Sequence, residues 1–370
     1  YQYFFEQMHM DDAIYADESI YEYPMQQGGG NDGRPYSFGR PSSGGSKAAY
    51  PCKSYGQGRI NPAYFYGIFD PNDMRRDVSI TMTGSNGKGV EKLIPFVPNS
   101  KAEGGGLTLN KWDENRQANP WVAAQRKSGI NGPYMRMSEV YLGYAEVCAA
   151  LGDVVTGKQY LKTVRERSFP QGLADTDGFI ASFGNDLVRA IIEERGFEYA
   201  GEGDRRWTLI RSGYLPEDIK RIKDMTKAMM DGLATKGYYE FENGNIISAY
   251  IWTKLVDAKT IYGHRLTAQC PMDKVNDPVL YPGWRGQKDN WEEMGLNYGN
   301  SAPATNLAIK GLFEIVSEEE AASLESQGYA KVNWGIDLVD YRDEYDKYLF
   351  WDYDYVSAPI YLWPFTPNVM

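Results

Sequence analysis

The stretch EERGFEYAGEGDRRWTLIR at residues 193–211 sets Glu193, Glu194, Glu198, Glu202 and Asp204 among Arg195, Arg205, Arg206 and Arg211. Two readings compete for it. Glycoside hydrolysis uses a pair of carboxylates flanking the scissile bond, and Glu194 and Glu198, four apart, share one helix face. A general acid, however, needs its carboxyl pushed up in pKa, whereas neighbouring guanidiniums push it down. The same guanidiniums match carboxylates in two-pronged geometry, which suits an ionic clamp joining one helix to the next segment, with Trp207 anchoring the packing. Gly201 and Gly203 permit the tight turn between the two sides. The expectation is a clamp.

Around this stretch the chain has 370 residues, 42% apolar and 24% charged, enough for a sizeable core in a globular protein. A net charge of −11 argues against a binder of nucleic-acid phosphates, which needs a basic face. Tyrosine (29) outnumbers phenylalanine (14) two to one, and its flat apolar ring with a polar tip suits half-wet surfaces and sugar or peptide ligands. Cys52, Cys148 and Cys270 with His9 and His264 show no metal-ligand spacing, so no metal site is expected. Cys148 reads as a small buried hydrophobe.

Upstream of the clamp, PYMRMSEVYLGYAEVCAALGD (133–153) places Met137, Tyr141, Tyr144, Cys148 and Leu151 at helical steps, predicting one apolar face. Gly152-Asp153 ends that helix, and a second fits 154–167 with Leu161 and Val164 inward. Together they form a helical hairpin of the tetratricopeptide kind. Asn185 is placed to cap a third helix that runs to Gly201.

Elsewhere, ESIYEYPM (18–25) fits a strand, and Asn243-Gly244 between β-prone runs signals a hairpin. Ser317 with Glu320 reads as a capping box before a short helix that stops at Gly328. QQGGGNDGRPYSFGRPSSGGSK (26–47) is a long loop, EGGGLTLN (103–110) is glycine-rich, and 273–293 is irregular. No apolar run is long enough to span a membrane.

The charged stretch resembles the hallmark of the SusD/RagB family, in which ER-x-x-E-[FL]-x-x-E-G is followed by R-[WF]. Here the matching residues are Glu194-Arg195, Glu198, Tyr199, Glu202-Gly203 and Arg206-Trp207, with Arg211 in the basic tail and Thr208 and Ile210 departing from it. DPNDMRRDVSI (70–80) is similar to the family's D-P-R-R-D segment, with Met74 at its usual proline. The 133–153 helix resembles R-x-[AS]-E-[VL]-x-L-x-[YN]-A-E-A, YLKTVRERSF (160–169) resembles V-x-x-[VI]-R-x-R, and YLWPFTPNVM (361–370) resembles L-x-P-I-P.

The resemblance implies a mainly α fold of SusD-like, tetratricopeptide-type helical pairs with long loops and a few short strands. On that reading residues 1–370 are the C-terminal portion of one SusD-like domain. Its parts are a loop-rich ligand-side segment (1–69), the helical-repeat and hallmark region (70–235) and a loop and short-strand region (236–370). The family portion with the lipidated cysteine and first helical repeats lies outside the chain. The implied function is non-enzymatic capture of a glycan at the outward-facing surface of the outer membrane of Bacteroidetes. The glycan passes to a SusC-like TonB-dependent transporter; neither cofactor nor nucleic acid takes part, and the membrane is touched only through a lipid anchor.

A peptide-binding lid of the RagB type and a helical glycoside hydrolase are the alternatives. The candidate ligand contacts are Arg34, Tyr36, Phe38, Tyr50, Tyr55 and Tyr64, where aromatic faces can stack on sugar rings and Arg34 can hydrogen-bond. Trp284 and Trp291 form a second candidate patch.

Overall fold

The computed structural model describes residues 58–85, 91–97, 106–112, 129–169, 172–257 and 305–343, with Tyr1 and residues 4–5, 18–26, 38–41 and 56 before them. In chain order the elements are β1 (Ser19–Tyr23), α1 (Pro62–Gly67), α2 (Met74–Ser79), β2 (Ile80–Thr81), β3 (Thr83–Ser85), β4 (Glu91–Leu93), β5 (Thr108–Leu109) and β6 (Gly132–Arg136). The helical run follows as α3 (Met137–Ala150), α4 (Val154–Glu166), α5 (Thr176–Ala181), α6 (Leu187–Glu198), α7 (Asp204–Ser212) and α8 (Leu215–Lys236). It gives way to β7 (Tyr238–Glu240), β8 (Ile246–Ser248), β9 (Tyr250–Asp257), β10 (Thr305–Lys310), α9 (Glu318–Ser326), β11 (Ala330–Asn333) and α10 (Gly335–Asp340). The fold is mainly helical, and its strands pair antiparallel in small sheets: β1-β6, β2-β5, β3-β4, β7-β8 and β10-β9-β11.

The expected hairpin of α3 and α4 is present, and α6 packs across it. Leu142 and Ala145 meet Leu161, Val164, Ile180, Leu187, Ala190 and Ile191 in one apolar cluster. The buried face of α3 nevertheless runs through Ser138, Leu142, Ala145 and Cys148, so the expected stripe through Tyr144 and Leu151 is a correction: Leu151 is 81% exposed. Small residues explain the rotation. A Cβ on Gly157 would stand only 3.0 Å from the Ala145 carbonyl oxygen and 3.2 Å from the Ala149 nitrogen, so the two helices approach almost backbone to backbone. The large Tyr144 is thereby pushed to the rim, where its ring meets Tyr160 edge to face.

The cap of α6 is a second correction. Asp186, not Asn185, accepts the hydrogen bond, from the Arg189 N–H at 3.0 Å. Asn185 instead takes the left-handed conformation (φ 64°) that asparagine tolerates better than most residues. Asp186→Ala is expected to cost about 1 kcal/mol in urea denaturation, with Asn185→Gly close to neutral. Equal effects of the two changes would refute this assignment.

The Asn243-Gly244 hairpin forms as expected, with Gly244 at φ 82° and β7 paired to β8. The Ser317 hydroxyl accepts the Glu320 N–H at 3.1 Å, starting α9 where the capping box placed it. A larger core joins this C-terminal region to the helices. Phe65, Tyr66 and Phe69 pack with Met229, Met230 and Leu233 of α8, and with Phe241, Ile251, Ile309 and Trp334. The Asn243 amide ties the hairpin turn to the end of α1, donating to the Tyr66 and Phe69 carbonyls at 2.8 and 2.7 Å.

Candidate functional site

The acids of the 193–211 stretch are buried and paired, with partners from far along the chain. Helix α6 carries Glu194 and Glu198 one turn apart, both with side chains fully buried. Glu194 accepts from Arg75 Nη1 at 2.6 Å and from Arg165 Nη1 at 2.9 Å. Glu198 accepts from Arg136 Nη1 at 2.7 Å, Arg167 Nη2 at 2.5 Å and Arg75 Nη1 at 3.3 Å. Glu202, beyond the Gly201 turn, takes Arg136 Nη2 at 2.8 Å, Arg136 Nε at 3.0 Å and Lys111 Nζ at 2.5 Å.

Two further acids close the network. Asp73 caps α2 through the Arg75 N–H and grips the Arg75 guanidinium at 2.7 Å. Glu18, at the foot of β1, accepts from Arg136 at 2.6 Å and Arg167 at 2.9 Å. Asp73, Glu18, Glu194, Glu198 and Glu202 thus face Arg75, Arg136, Arg165, Arg167 and Lys111, and the centre is electrically balanced. One further donor each of Lys111 and Arg136 reaches the Glu198 carbonyl, so these two buried cations are both paired and hydrogen-bonded.

The electrostatics bear on whether Glu198 and Glu202 can serve as proton donors. Burial pushes the Glu198 carboxyl up, but Arg167, Arg136 and Arg75 outweigh it and hold the group well below the usual carboxylate range. At Glu202 burial again acts upward and is overcome by Arg136 and Lys111. Burial draws the Lys111 ammonium down to about 8 despite Glu202 beside it. A carboxyl held ionised this strongly is unsuited to donating a proton to a leaving group, and Glu198 and Glu202 are spent on the scaffold.

Arg195, Arg205 and Arg211, nearest in sequence, do not serve Glu194, Glu198 or Glu202, a correction to the expected pairing, but the first two clamp the stretch's other acids, Asp204 and Glu193, as expected. Arg195 pairs with Asp204 at 2.5 Å across the Gly201–Gly203 turn, where both glycines have positive φ (82° and 98°). Arg205 bridges Glu193 at 3.0 Å and Asp218 at 2.8 Å, linking α6 to α8, and Arg211 reaches Glu146 on α3. Trp207 does not anchor the packing; it is 57% exposed. Only its neighbours Thr208 and Leu209 turn inward on α7. The long-range partners nonetheless lie inside the motifs that carry the resemblance: Arg75 in 70–80, Arg136 at the head of 133–153, and Arg165 and Arg167 in 160–169.

Of the candidate ligand contacts, Arg34, Tyr36, Tyr50 and Tyr55 lie outside the described residues, as do Trp284 and Trp291. Phe38 is 45% exposed. Tyr64 is committed to the scaffold: its hydroxyl donates to the Gly196 carbonyl at 2.8 Å and its ring meets Phe69 edge to face. Arg40, in the same loop, is buried and donates to the Thr83 hydroxyl at 2.9 Å. The tyrosine excess suited exposed rings without locating them, and a separate exposed group, Tyr21, Tyr23 and Tyr134, lies on the β1-β6 ribbon.

A family model for the SusD family matches residues 13–364. A curated relative, SusD-like protein P25 of Formosa agariphila, is 28% identical over 160 residues, or 43% of this chain and 26% of that protein. Among solved structures, a SusD homologue from Bacteroides thetaiotaomicron is similar at TM-score 0.44 and 19% identity, covering 62% of this chain and 47% of the other. Surface glycan-binding protein A of the same organism, in complex with laminarihexaose, is similar at TM-score 0.40 and 17% identity, covering 57% and 46%. The chain therefore spans about a quarter of the curated relative's length and under half that of these solved chains.

Proposed function

The chain belongs to the SusD family, and from that premise we propose that it captures an oligosaccharide at the cell surface and delivers it, uncleaved, to a TonB-dependent outer-membrane transporter of the SusC kind. The observation that carries this reading is the family match over residues 13–364, whose charged hallmark residues are built into a scaffold instead of a reaction site. A lipid anchor would hold the protein on the outward face of the outer membrane. Residues 70–235 act as the scaffold, and the loop-rich segment before residue 70 supplies ligand contacts, with Arg34, Tyr36, Phe38, Tyr50 and Tyr55 as candidates. Tyr64, bonded to the Gly196 carbonyl, belongs to the scaffold.

Capture of this kind makes and breaks no bonds. Aromatic faces stack on apolar sugar faces, polar side chains fix orientation, and closure against the transporter buries the ligand. Titration calorimetry against a panel of neutral oligosaccharides is expected to show binding, and a reducing-end assay on the same mixtures no release of sugar. Release of reducing ends would establish a hydrolase. Peptides co-purifying with a protein that binds no sugar would favour the peptide-binding alternative.

A further inference from the structure

We propose that the outer side of the β1-β6 ribbon is a carbohydrate-stacking platform formed by Tyr21 and Tyr134, with Tyr23 at its edge, and that its ligand is an uncharged oligosaccharide. Three tyrosines stand out on this ribbon, at 57% (Tyr21), 64% (Tyr23) and 69% (Tyr134) exposure. The Tyr21 and Tyr134 rings meet edge to face, centroids 5.6 Å apart and planes at 85°, so one ring fixes the other's orientation. Exposed aromatic groups of this kind mark interaction sites more often than isolated apolar residues do.

The ribbon is rigidly mounted. Arg136, at the end of β6, is held in the buried ionic centre, and Glu18, at the foot of β1, is held by Arg136 and Arg167. Asn131 closes the far end, receiving the Met25 N–H at 2.8 Å and donating to Glu22 at 2.9 Å. Tyrosine side chains on such a base lose little entropy when they engage a ligand.

The charge pattern selects the ligand. Among the described residues, the acids on β1 and at its foot are already engaged, Glu18 by Arg136 and Arg167, Glu22 by the Ser19 hydroxyl at 2.6 Å and Asn131. What the rings themselves offer is flat apolar surface edged with hydroxyls, which complements the C–H faces and hydroxyls of a neutral sugar ring.

This inference rests on the glycan-capture reading, and the test separates the two. A panel including laminarihexaose, maltohexaose and xylohexaose is titrated into the wild type, the Tyr21→Ala/Tyr134→Ala pair, Tyr134→Phe and Tyr144→Ala. The alanine pair should bind about tenfold more weakly. Tyr134→Phe, which keeps the ring, should stay within about threefold, and Tyr144→Ala, on α3, should match the wild type. An alanine pair that binds like the wild type overturns the platform and leaves glycan capture standing. A wild type that binds no member of the panel overturns glycan capture and the platform with it. Nitration footprinting of the wild type reads the site without any substitution: the bound sugar should protect Tyr21 and Tyr134, and unchanged nitration of both would overturn the platform.

Discussion

Glu198→Gln is expected to lower folding stability by about 3 kcal/mol, although the substitution preserves the side chain's shape. The carboxylate accepts from Arg75, Arg136 and Arg167 with no exposure to water, so loss of its charge leaves buried guanidiniums without their balance. The cost stays at the lower end of the range for broken buried pairs because each cation keeps another acid: Asp73 and Glu194 for Arg75, Glu202 and Glu18 for Arg136, Glu18 for Arg167. Asp224→Asn, which breaks the exposed pair with Lys220 on α8, should change stability by under about 1 kcal/mol.

The acid response follows from the same centre and from Asp218, which Arg205 and Arg221 hold beside it. The folded pKa of Glu198 lies below its ordinary value of 4.5, and those of Glu202 and Asp218 are also lowered. These groups therefore contribute fully above the unfolded value, and their contribution is lost as pH falls from there through the folded values. The wild type should lose stability steeply below about pH 4.5, and Glu198→Gln, weaker at neutral pH, should show a shallower acid limb. Urea midpoints measured from pH 7 to pH 3 test both effects. A variant with the wild-type midpoint and the same acid slope would mean that the centre does not carry the fold.

How much of this was legible in the sequence depended on the range of each interaction. Leu161 and Val164 turned inward as the helical period required, and the Asn243-Gly244 turn and the Ser317 cap formed because backbone geometry within a few residues decides them. The buried face of α3 was misread because apolar character and burial parted company: Ala145 and Ala149 win the interface by being small, and Tyr144 loses it by being large. The clamp was recognised as a clamp, yet its pairing was not, because Arg75 reaches Glu194 across 119 residues and nothing local to either specifies the other. Trp207 illustrates the converse, a large aromatic in the middle of the hallmark that the fold leaves half outside. Of the expected ligand contacts only Phe38 and Tyr64 fall among the described residues, and nothing local to a sequence marks which rings stand exposed on a firm base.

Trp334→Ala should cost about 3–5 kcal/mol, the range for emptying a fully buried tryptophan site. The indole has no exposure, lies 4.1 Å from the Phe96 ring centroid and donates its Nε1–H to the Tyr66 hydroxyl at 2.8 Å. Its removal opens a cavity and also deprives a buried hydroxyl of its donor, a loss of about 1–3 kcal/mol that Trp334→Phe isolates by refilling part of the space without the N–H. The position matters because Trp334 lies after β11 while Tyr66 belongs to α1 and Phe96 follows β4, so one side chain joins segments that meet only when the whole core closes. Hydrogen exchange then shows whether the core unfolds as one unit. If it does, Trp334→Ala lowers amide protection in α6, where the ionic centre is built, as much as in β9. If protection falls only among the C-terminal strands, the ionic centre and the tryptophan core are separate cooperative units, and the scaffold beneath the tyrosine ribbon stands without the C-terminal region.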